Sequence, residues 1–215
     1  MFDPRHPLFT PKLDDPDEPD APEGDAPASL SMPVNELEAR LLSKRKVMVF
    51  GTINDKLARD VAGRLLALAD ESQKPIDVYV NSPGGHVESG DTIHDIIKFL
   101  RGSVPIRVIG TGWVASAGAL IYLAGETKRR YCLPNTRFLL HQPMGGVRGP
   151  ATDIDIEARE IIKMRERINQ IIADETGQKI ERVRKDTDRN YWMSAEEAVT
   201  YGMVSRVIRS VEELE

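Results

Sequence analysis

Short apolar strands alternate with amphipathic helices from residue 35 to about residue 141, and this alternation constrains the fold more than any other feature of the sequence. A strand, a helix and a second strand in succession build a unit in which the strands are parallel and the crossover is right-handed. The predicted strands are 47–51, 76–81, 106–111, 130–132, 137–141 and 204–208. The predicted helices are 35–44, 55–70, 89–101, 116–124, 153–175, 178–187 and 194–201. The pattern predicts an α/β fold with a mostly parallel sheet.

The first 33 residues differ in composition from the rest of the chain. They contain eight acidic residues, two basic residues and eight of the fourteen prolines, so they carry a net charge of −6 and leave +1 on residues 34–215. Proline lacks the backbone donor that helices and sheets need, and the acidic side chains repel one another. We therefore predict a mobile acidic tail over 1–33 and one folded domain over 34–215.

Composition also excludes several classes of function. A net charge of −5 argues against a nucleic-acid-binding protein, which usually carries a basic surplus. Cys132 is the only cysteine, so no disulfide can form within the chain and a reducing compartment is expected. No apolar run reaches the roughly 18 residues that span a bilayer, and the start of the chain lacks the pattern of a secretory signal. These features predict a cytoplasmic protein that does not bind a membrane.

Two glycine-rich motifs follow predicted strands and could take part in catalysis. Residues 81–85 read NSPGG, and the backbone N–H groups of its glycines could bind an anion or the oxyanion of a reaction intermediate. Residues 112–119 read GWVASAGA, in which Ser116 lies among small residues where a strand meets a helix. Ser116 could be a nucleophile. Taken alone, however, each motif is better explained by structure, as a turn for NSPGG and a helix N-cap for Ser116.

His141 ends a predicted apolar strand and precedes Pro143, a position that suits a general base at the edge of a cleft. A hydrogen-bonded core histidine is the alternative interpretation. Further along, the polar run 186–190 could supply a residue that orients His141, and Ser194 with Glu197 forms a predicted capping box. No histidine, carboxylate or cysteine cluster has the spacing of metal ligands, so no metal site is predicted.

Taken in order, the motifs of this chain resemble one family, the proteolytic subunit of the Clp protease (ClpP). They are NSPGG, ASAGA, CLPN, HQPMGG, ATDIDIEARE and MSAEEAVTYG, within a resemblance that runs from about Leu37 to Val207. The resemblance implies a right-handed spiral of β-β-α units, a fold shared with crotonases, from which a helix-and-strand handle projects over about 142–175. It also implies a homo-oligomer of two stacked seven-membered rings, interlocked by their handles, and a hexameric AAA+ unfoldase that delivers unfolded protein substrates.

The resemblance also assigns roles to single residues. Ser116 would be the nucleophile and His141 the general base, while the N–H groups of Gly85 and Ala117 would form the oxyanion hole. The family usually has an aspartate as its third catalytic residue, and this chain has Asn190 at the matching position. No cofactor or metal is implied for the peptidase, since ATP would be used by the unfoldase.

Three further groups of residues match functional positions of the family. The substrate peptide would pair with the backbone at Gly84, His86, Val87, Pro143, Met144 and Gly145. Contacts between the two rings would be made by Asp188 and Arg189. The unfoldase would dock on Tyr79, Tyr131, Leu133 and Ile208.

Two other hypotheses belong to different classes of function. Asn190 in place of the usual aspartate would also suit a weakly active or regulatory subunit of a mixed ring. An acyl-CoA enzyme of the crotonase type would use the same oxyanion geometry, but the pairing of Ser116 with His141 and the handle motif argue against it. A self-compartmentalising serine endopeptidase is the function that the sequence supports best.

Overall fold

A computed structural model describes residues 34–214, and the predicted acidic tail lies outside the described residues. The helices are α1 Val34–Ser43, α2 Asp55–Glu71, α3 Val87–Leu100, α4 Ala117–Leu123, α5 Ala151–Thr176, α6 Ile180–Asp186 and α7 Ala195–Tyr201, with 3-10 turns at Thr127–Arg129 and Val211–Glu213. The strands are β1 Lys46–Phe50, β2 Ile76–Ser82, β3 Ile106–Ala115, β4 Arg130–Cys132, β5 Arg137–Leu140, β6 Tyr191–Met193 and β7 Arg206–Val207. All seven predicted helices are present, with ends that differ by at most two residues from the prediction.

The strands form one sheet in which the order is β1-β2-β3-β4-β7 and all of these pairs are parallel. Strand β5 also pairs in parallel with β3, and β6 pairs antiparallel with β5. The helices follow the strands as crossovers, so the prediction of an α/β fold with a mostly parallel sheet is confirmed. The short strand β6 was not predicted.

Strand β3 is four residues longer than predicted because it changes its neighbour halfway. Its first half pairs with β4 up to Gly110, and its second half pairs with β5 from Trp113 onward. Gly112 lies between the halves with φ 58°, a value that favours glycine, and a Cβ there would lie 2.8 Å from the Asn81 side-chain oxygen. The same oxygen accepts from the N–H of Trp113 at 3.0 Å. This bend directs the end of β3 toward β5.

The core lies between the sheet and helices α2, α3 and α4. The buried residues of α2 follow helical spacing and are Ala58, Val61, Leu65 and Leu68. Helix α4 is buried over its whole length, Ala117–Leu123, as its small and apolar residues predict. Because Ser116 directly precedes α4, this residue is attached to a helix with no exposed face.

A buried ion cluster attaches the C-terminal end of α5 to the core. Arg130 in β4 is fully buried, and its guanidinium donates to Gly125 O and Glu175 O and pairs with the Glu175 carboxylate. Lys98 of α3 and Arg101, which directly follows this helix, contact the same carboxylate at 2.8 and 3.4 Å. Burial raises the pKa of Glu175, but the Lys98 hydrogen bond and the charges of Arg130 and Arg101 lower it overall. The cluster therefore holds Glu175 as a carboxylate.

The N-terminal half of α5 leaves the core. Residues 151–160 are all exposed, and the buried residues of this helix begin at Ile168. Ile168 and Ile172 of this helix are buried, whereas Ile154 is exposed. The segment 141–150 before the helix forms no β-strand in the single chain. A lone strand leaves its backbone groups unpaired, so the strand half of the predicted handle lacks the neighbour that it needs.

Candidate active site

Ser116 lies at a sharp turn between β3 and α4. Its backbone has φ 56° and ψ −124°, a conformation that costs a non-glycine residue about 1–3 kcal/mol. The N–H of Ser116 donates to Leu139 O in β5 at 2.9 Å, which holds the turn in place. Ser116 occupies the N-cap position of α4, but its side chain makes no capping hydrogen bond. The N-cap interpretation is therefore wrong for the side chain, and the strained turn resembles the elbow that carries nucleophiles in other hydrolases.

Glycines allow neighbouring segments to approach Ser116 closely. A Cβ on Gly84, which has φ 103°, would lie 2.6 Å from Ser116 Cβ and 3.0 Å from Ser116 Oγ. A Cβ on Gly118 would lie 3.1 Å from Ser82 Cβ. Both motifs therefore need glycine at these positions so that the NSPGG segment can contact the Ser116 turn.

The NSPGG segment is held against Ile53 by its backbone. The N–H of Ile53 donates to Gly84 O, and the N–H of His86 donates to Ile53 O, both at 2.9 Å. Ser82 Oγ also accepts from the N–H of Gly84 at 3.1 Å. Since successive backbone groups of an extended segment point to opposite sides, the N–H and C=O of Gly85 point away from Ile53. The edge of this segment that carries the Gly85 N–H and C=O is thus directed away from Ile53.

Ala117 carries the second predicted oxyanion donor. It is the first residue of α4, and the first N–H groups of a helix have no acceptor within the helix. Its N–H is next to the nucleophile candidate in the chain, while Gly84 brings the NSPGG segment to the other side of Ser116. The structure therefore brings both predicted donors to the neighbourhood of Ser116.

His141 follows β5, the strand that accepts the hydrogen bond from Ser116. Its side chain and that of Ser116 line the same cleft, and no hydrogen bond joins them in the described chain. The other residues that line the cleft are Val87, Ala117, Leu120, Leu140, Pro143, Ile168 and Ile172. Burial among these mostly apolar side chains lowers the pKa of His141. A histidine with a lowered pKa is neutral at pH 7 and can accept a proton.

Asn190 and His141 lie at the same end of the β5–β6 ladder. Leu140 and Tyr191 form the last pair of this antiparallel ladder, and His141 directly follows the first strand while Asn190 directly precedes the second. Gln142, the residue after His141, attaches this part of the chain to the segment before Asn190. Its N–H donates to Thr187 O at 2.7 Å, and its side chain donates to Asp188 O at 2.8 Å. The Asn190 side chain is exposed and makes no hydrogen bond to His141 among residues 34–214. Its predicted role as third catalytic residue stays a prediction.

The other predicted peptide-binding and ring-contact residues have different surroundings. Val87 and Pro143 both line the cleft, whereas Met144 is 83% exposed. A Cβ on Gly145 would lie 3.3 Å from Ile161 of α5. Asp188 pairs with Arg165 of α5 at 3.2 Å within the chain. Peptide binding and ring contact through these residues stay predictions.

The predicted docking residues form a separate group on the sheet. Tyr131 and Ile208 are buried together with Ile109, and Tyr79 packs against them. Leu214, near the C-terminal end, also packs on this cluster, a contact that no sequence pattern indicated. Leu133 is exposed and lines a shallow groove that also includes Ile208.

A hydrogen-bond chain that no sequence pattern indicated lies beside the NSPGG segment. His86 Nδ1 lies 2.7 Å from Ser89 Oγ, and Ser89 Oγ donates to Asp55 Oδ1 at 2.5 Å. His86 Nε2 lies 3.2 Å from a Glu88 carboxylate oxygen. Only the nearness of His86 to a helix start was visible in the sequence, since Asp55 lies far from it along the chain.

No group of three or more His, Cys, Asp or Glu side chains in residues 34–214 could hold a metal ion. None of the helices in this part of the chain is both long and apolar enough to cross a bilayer.

A strained serine turn and a histidine on one cleft, at the end of a parallel sheet, define a serine hydrolase of α/β architecture. The model of the Clp protease family matches residues 31–211, and the chain therefore belongs to this family. It is a Clp-type serine peptidase with the mixed α/β fold of its relatives. This membership decides against the crotonase-type acyl-CoA enzyme.

Relatives with curated names support the same assignment. The chain is 72% identical over 202 residues to the ATP-dependent Clp protease proteolytic subunit 2 of Gluconobacter oxydans, a match that covers 92% of this chain and 91% of the relative. It is 61% identical to proteolytic subunit 3 of Rhizobium etli, over 81% of this chain and 89% of the relative. A solved structure of an Asn-to-Asp mutant of ClpP1 from Listeria monocytogenes matches with a TM-score of 0.77 and 51% identity, over 83% of this chain and 99% of that one.

Proposed function

We propose that this chain is a self-compartmentalising serine endopeptidase that cleaves unfolded polypeptides and short peptides. Ser116 Oγ attacks the carbonyl carbon of the scissile bond while His141 accepts its proton, and the N–H groups of Gly85 and Ala117 stabilise the oxyanion. His141 then gives the proton to the leaving amine and activates the water that hydrolyses the acyl-enzyme. The observation that carries the proposal is the strained Ser116 turn on the same cleft as His141.

Asn190 is proposed to orient His141. Its side-chain oxygen can accept the Nδ1–H of the imidazole, so that Nε2 is left to accept the proton of Ser116. The lowered pKa of His141 supports this mechanism, because burial favours the neutral ring that acts as a base. Asparagine adds no charge to stabilise the imidazolium that forms during the attack.

The substrate peptide is proposed to bind as an added strand between Gly84–Val87 and the segment 143–147. The N–H and C=O of Gly85 point away from Ile53, and the segment 143–147 has no strand neighbour in the single chain. Main-chain pairing of this kind reads few side chains of the peptide. It suits the cleavage of unfolded chains of many sequences.

Assembly into two stacked heptameric rings in the cytoplasm is proposed on the family membership, with a hexameric AAA+ unfoldase docked on the cluster of Tyr79, Tyr131 and Ile208 and on Leu133. The exposed apolar residues of α5 support a partner for the handle, since Ile162 is 66% exposed and Ile156 is 52% exposed. The variant Ile162→Glu should lower the sedimentation coefficient of the oligomer, whereas Lys163→Glu on the same helix should not. A wild-type monomer at micromolar concentration would contradict the assembly.

Hydrolysis of a fluorogenic peptide tests the peptidase proposal directly. Ser116→Ala should abolish the hydrolysis and the labelling by a serine-directed phosphonate, while the oligomer stays intact. The control Ser103→Ala removes an exposed hydroxyl and should leave both unchanged. Full activity of Ser116→Ala would show that another residue is the nucleophile.

Asn190 favours a second candidate function, a weakly active subunit of a mixed ring. The same assay separates the two candidates. A pure homo-oligomer that binds the phosphonate and turns over peptide supports the endopeptidase, whereas an assembled oligomer that gains activity only with a second type of subunit supports the mixed ring.

A further inference from the structure

The hydrogen-bond chain from His86 to Asp55 has a defined direction. Ser89 Oγ has one proton and donates it to the Asp55 carboxylate at 2.5 Å. Ser89 Oγ must therefore accept from His86 Nδ1, which lies 2.7 Å away, and this nitrogen carries a proton. Ser89 is 3% exposed, so the middle of this hydrogen-bond chain is shielded from water, although His86 and Asp55 at its two ends are exposed.

The hydrogen-bond chain from His86 to Asp55 joins three segments at the edge of the active site. Asp55 is the first residue of α2, Ser89 lies in the first turn of α3, and His86 directly follows Gly85. Two residues before Asp55, Ile53 binds the backbone of Gly84 and His86. The segment 53–55 thus holds the NSPGG loop twice, once through the backbone and once through side chains.

This second attachment matters because the loop contains two adjacent glycines. Gly84 and Gly85 have φ values of 103° and 149°, and glycine gains no local restraint from a side chain. An oxyanion donor works only within about 2.7–3.1 Å of the developing charge, and loss of one donor costs about 10²–10³-fold in kcat. The position of the Gly85 N–H must therefore be set by what holds the loop from outside.

We infer that the side chain of His86, through Ser89 and Asp55, is a positioning residue that fixes the Gly85 N–H in the oxyanion hole. The inference rests on the proposed peptidase function. It assigns His86 a side-chain role, since the backbone N–H and C=O of this residue already bind Ile53 O and the N–H of Gly90. Because the donor is displaced rather than removed, the loss of kcat should be about 10-fold, below that of a deleted donor.

Two substitutions of His86 test the inference because the side-chain amide of each can replace a different one of the two ring nitrogens. The side-chain amide of asparagine can replace Nδ1 and still donate to Ser89, whereas that of glutamine replaces Nε2 and reaches toward Glu88. His86→Gln should lower kcat about 10-fold with little change in KM, and His86→Asn should lower it by no more than about 3-fold. Ser103→Ala serves as the unaffected control.

Two further measurements separate positioning from general loss of structure. A peptide boronate, which forms a tetrahedral adduct on the serine, should bind His86→Gln more weakly by the same factor as kcat falls. The Kd of the uncleaved peptide, measured in a Ser116→Ala background, should not change. Ser89→Ala should lower kcat by less than His86→Gln does, because His86 Nδ1 also lies 3.3 Å from Asp55 Oδ1, and the double variant should be no worse than His86→Gln alone.

Each result has a distinct meaning. Equal kcat for His86→Gln and His86→Asn, or an additive loss in the double variant, would overturn the inference while the peptidase proposal stands. A change in His86→Gln that is confined to the peptide Kd would likewise overturn the inference, because His86, Ser89 and Asp55 would then act in substrate binding. Absence of any Ser116-dependent hydrolysis by the wild-type oligomer would overturn the peptidase proposal and the inference with it.

Discussion

Replacing Asn190 with aspartate should raise the peptidase turnover, because a carboxylate would stabilise the imidazolium that His141 becomes when it accepts the proton of Ser116. Residue 190 and His141 are the neighbours in sequence of the Leu140–Tyr191 pair, the last pair of the β5–β6 ladder. Asparagine at this position can hold the imidazole Nδ1–H but has no charge. Its amide can also turn and donate, which would favour the wrong tautomer of the ring.

The expected gain follows from the distance and the exposure of residue 190. Side chains directly opposite on antiparallel strands have Cβ atoms about 4.5–5.5 Å apart, and two opposite charges about 5 Å apart attract by about 3 kcal/mol at an effective dielectric constant of about 20. Asn190 is exposed, so solvent screening reduces this value to about 1 kcal/mol, the upper end for exposed ion pairs. A gain of that size raises kcat by about 5-fold.

Steady-state kinetics at several pH values measures this gain in two ways. Burial lowers the pKa of His141 in the wild-type chain. A carboxylate beside the ring would raise that pKa, so the acidic limb of the kcat/KM profile should move to higher pH in Asn190→Asp while kcat rises. Asn135→Asp adds the same charge at another exposed asparagine and should change neither. An intact Asn190→Asp oligomer with unchanged kcat and an unmoved acidic limb would show that residue 190 does not act on His141.

Two further predictions concern the packing around the site and the handle. Gly84→Ala should reduce peptide hydrolysis by at least 10²-fold with the oligomer retained, because its Cβ would lie 2.6 Å from Ser116 Cβ, whereas Gly63→Ala, at which no atom lies within 4 Å, should be tolerated. Glu175→Gln should destabilise the fold by about 3 kcal/mol in a thermal melt, because buried Arg130 would lose its charged partner. Since the folded-state pKa of Glu175 is lowered overall, its contribution to stability is present above about pH 4.5 and is lost as the pH falls further; an unchanged melting temperature for Glu175→Gln would contradict this account.

Most elements of this fold could be predicted from sequence because their apolar residues repeat with the period of a helix or a strand. The missed parts depend on contacts between distant segments. Strand β6 has three residues, Tyr191–Met193, too few for an alternating pattern to be recognised. The extension of β3 beyond residue 111 depends on Asn81, which binds the backbone after the Gly112 bend.

The site was predictable only in part for the same reason. The residues around Ser116 and His141 left structural interpretations open, and the resemblance of several motifs in order was needed to assign catalytic roles. The anchor formed by Ile53 and Asp55 carries no local signal, because its partner His86 lies more than thirty residues further along the chain. Such an anchor becomes visible only when the fold brings the start of α2 to the NSPGG segment.

The sheet explains why residues so far apart in sequence meet at one site. Strands β2, β3 and β5 are parallel neighbours, so their carboxyl ends lie at the same edge, where open α/β sheets bind ligands. Gly85, Ser116 and His141 follow these three strands in that order. Strand β6 runs antiparallel to β5 and therefore begins at this same edge, which places Asn190 next in the row. Because each group is attached to a different strand end, a substitution at residue 190 can change the charge beside His141 without moving the nucleophile.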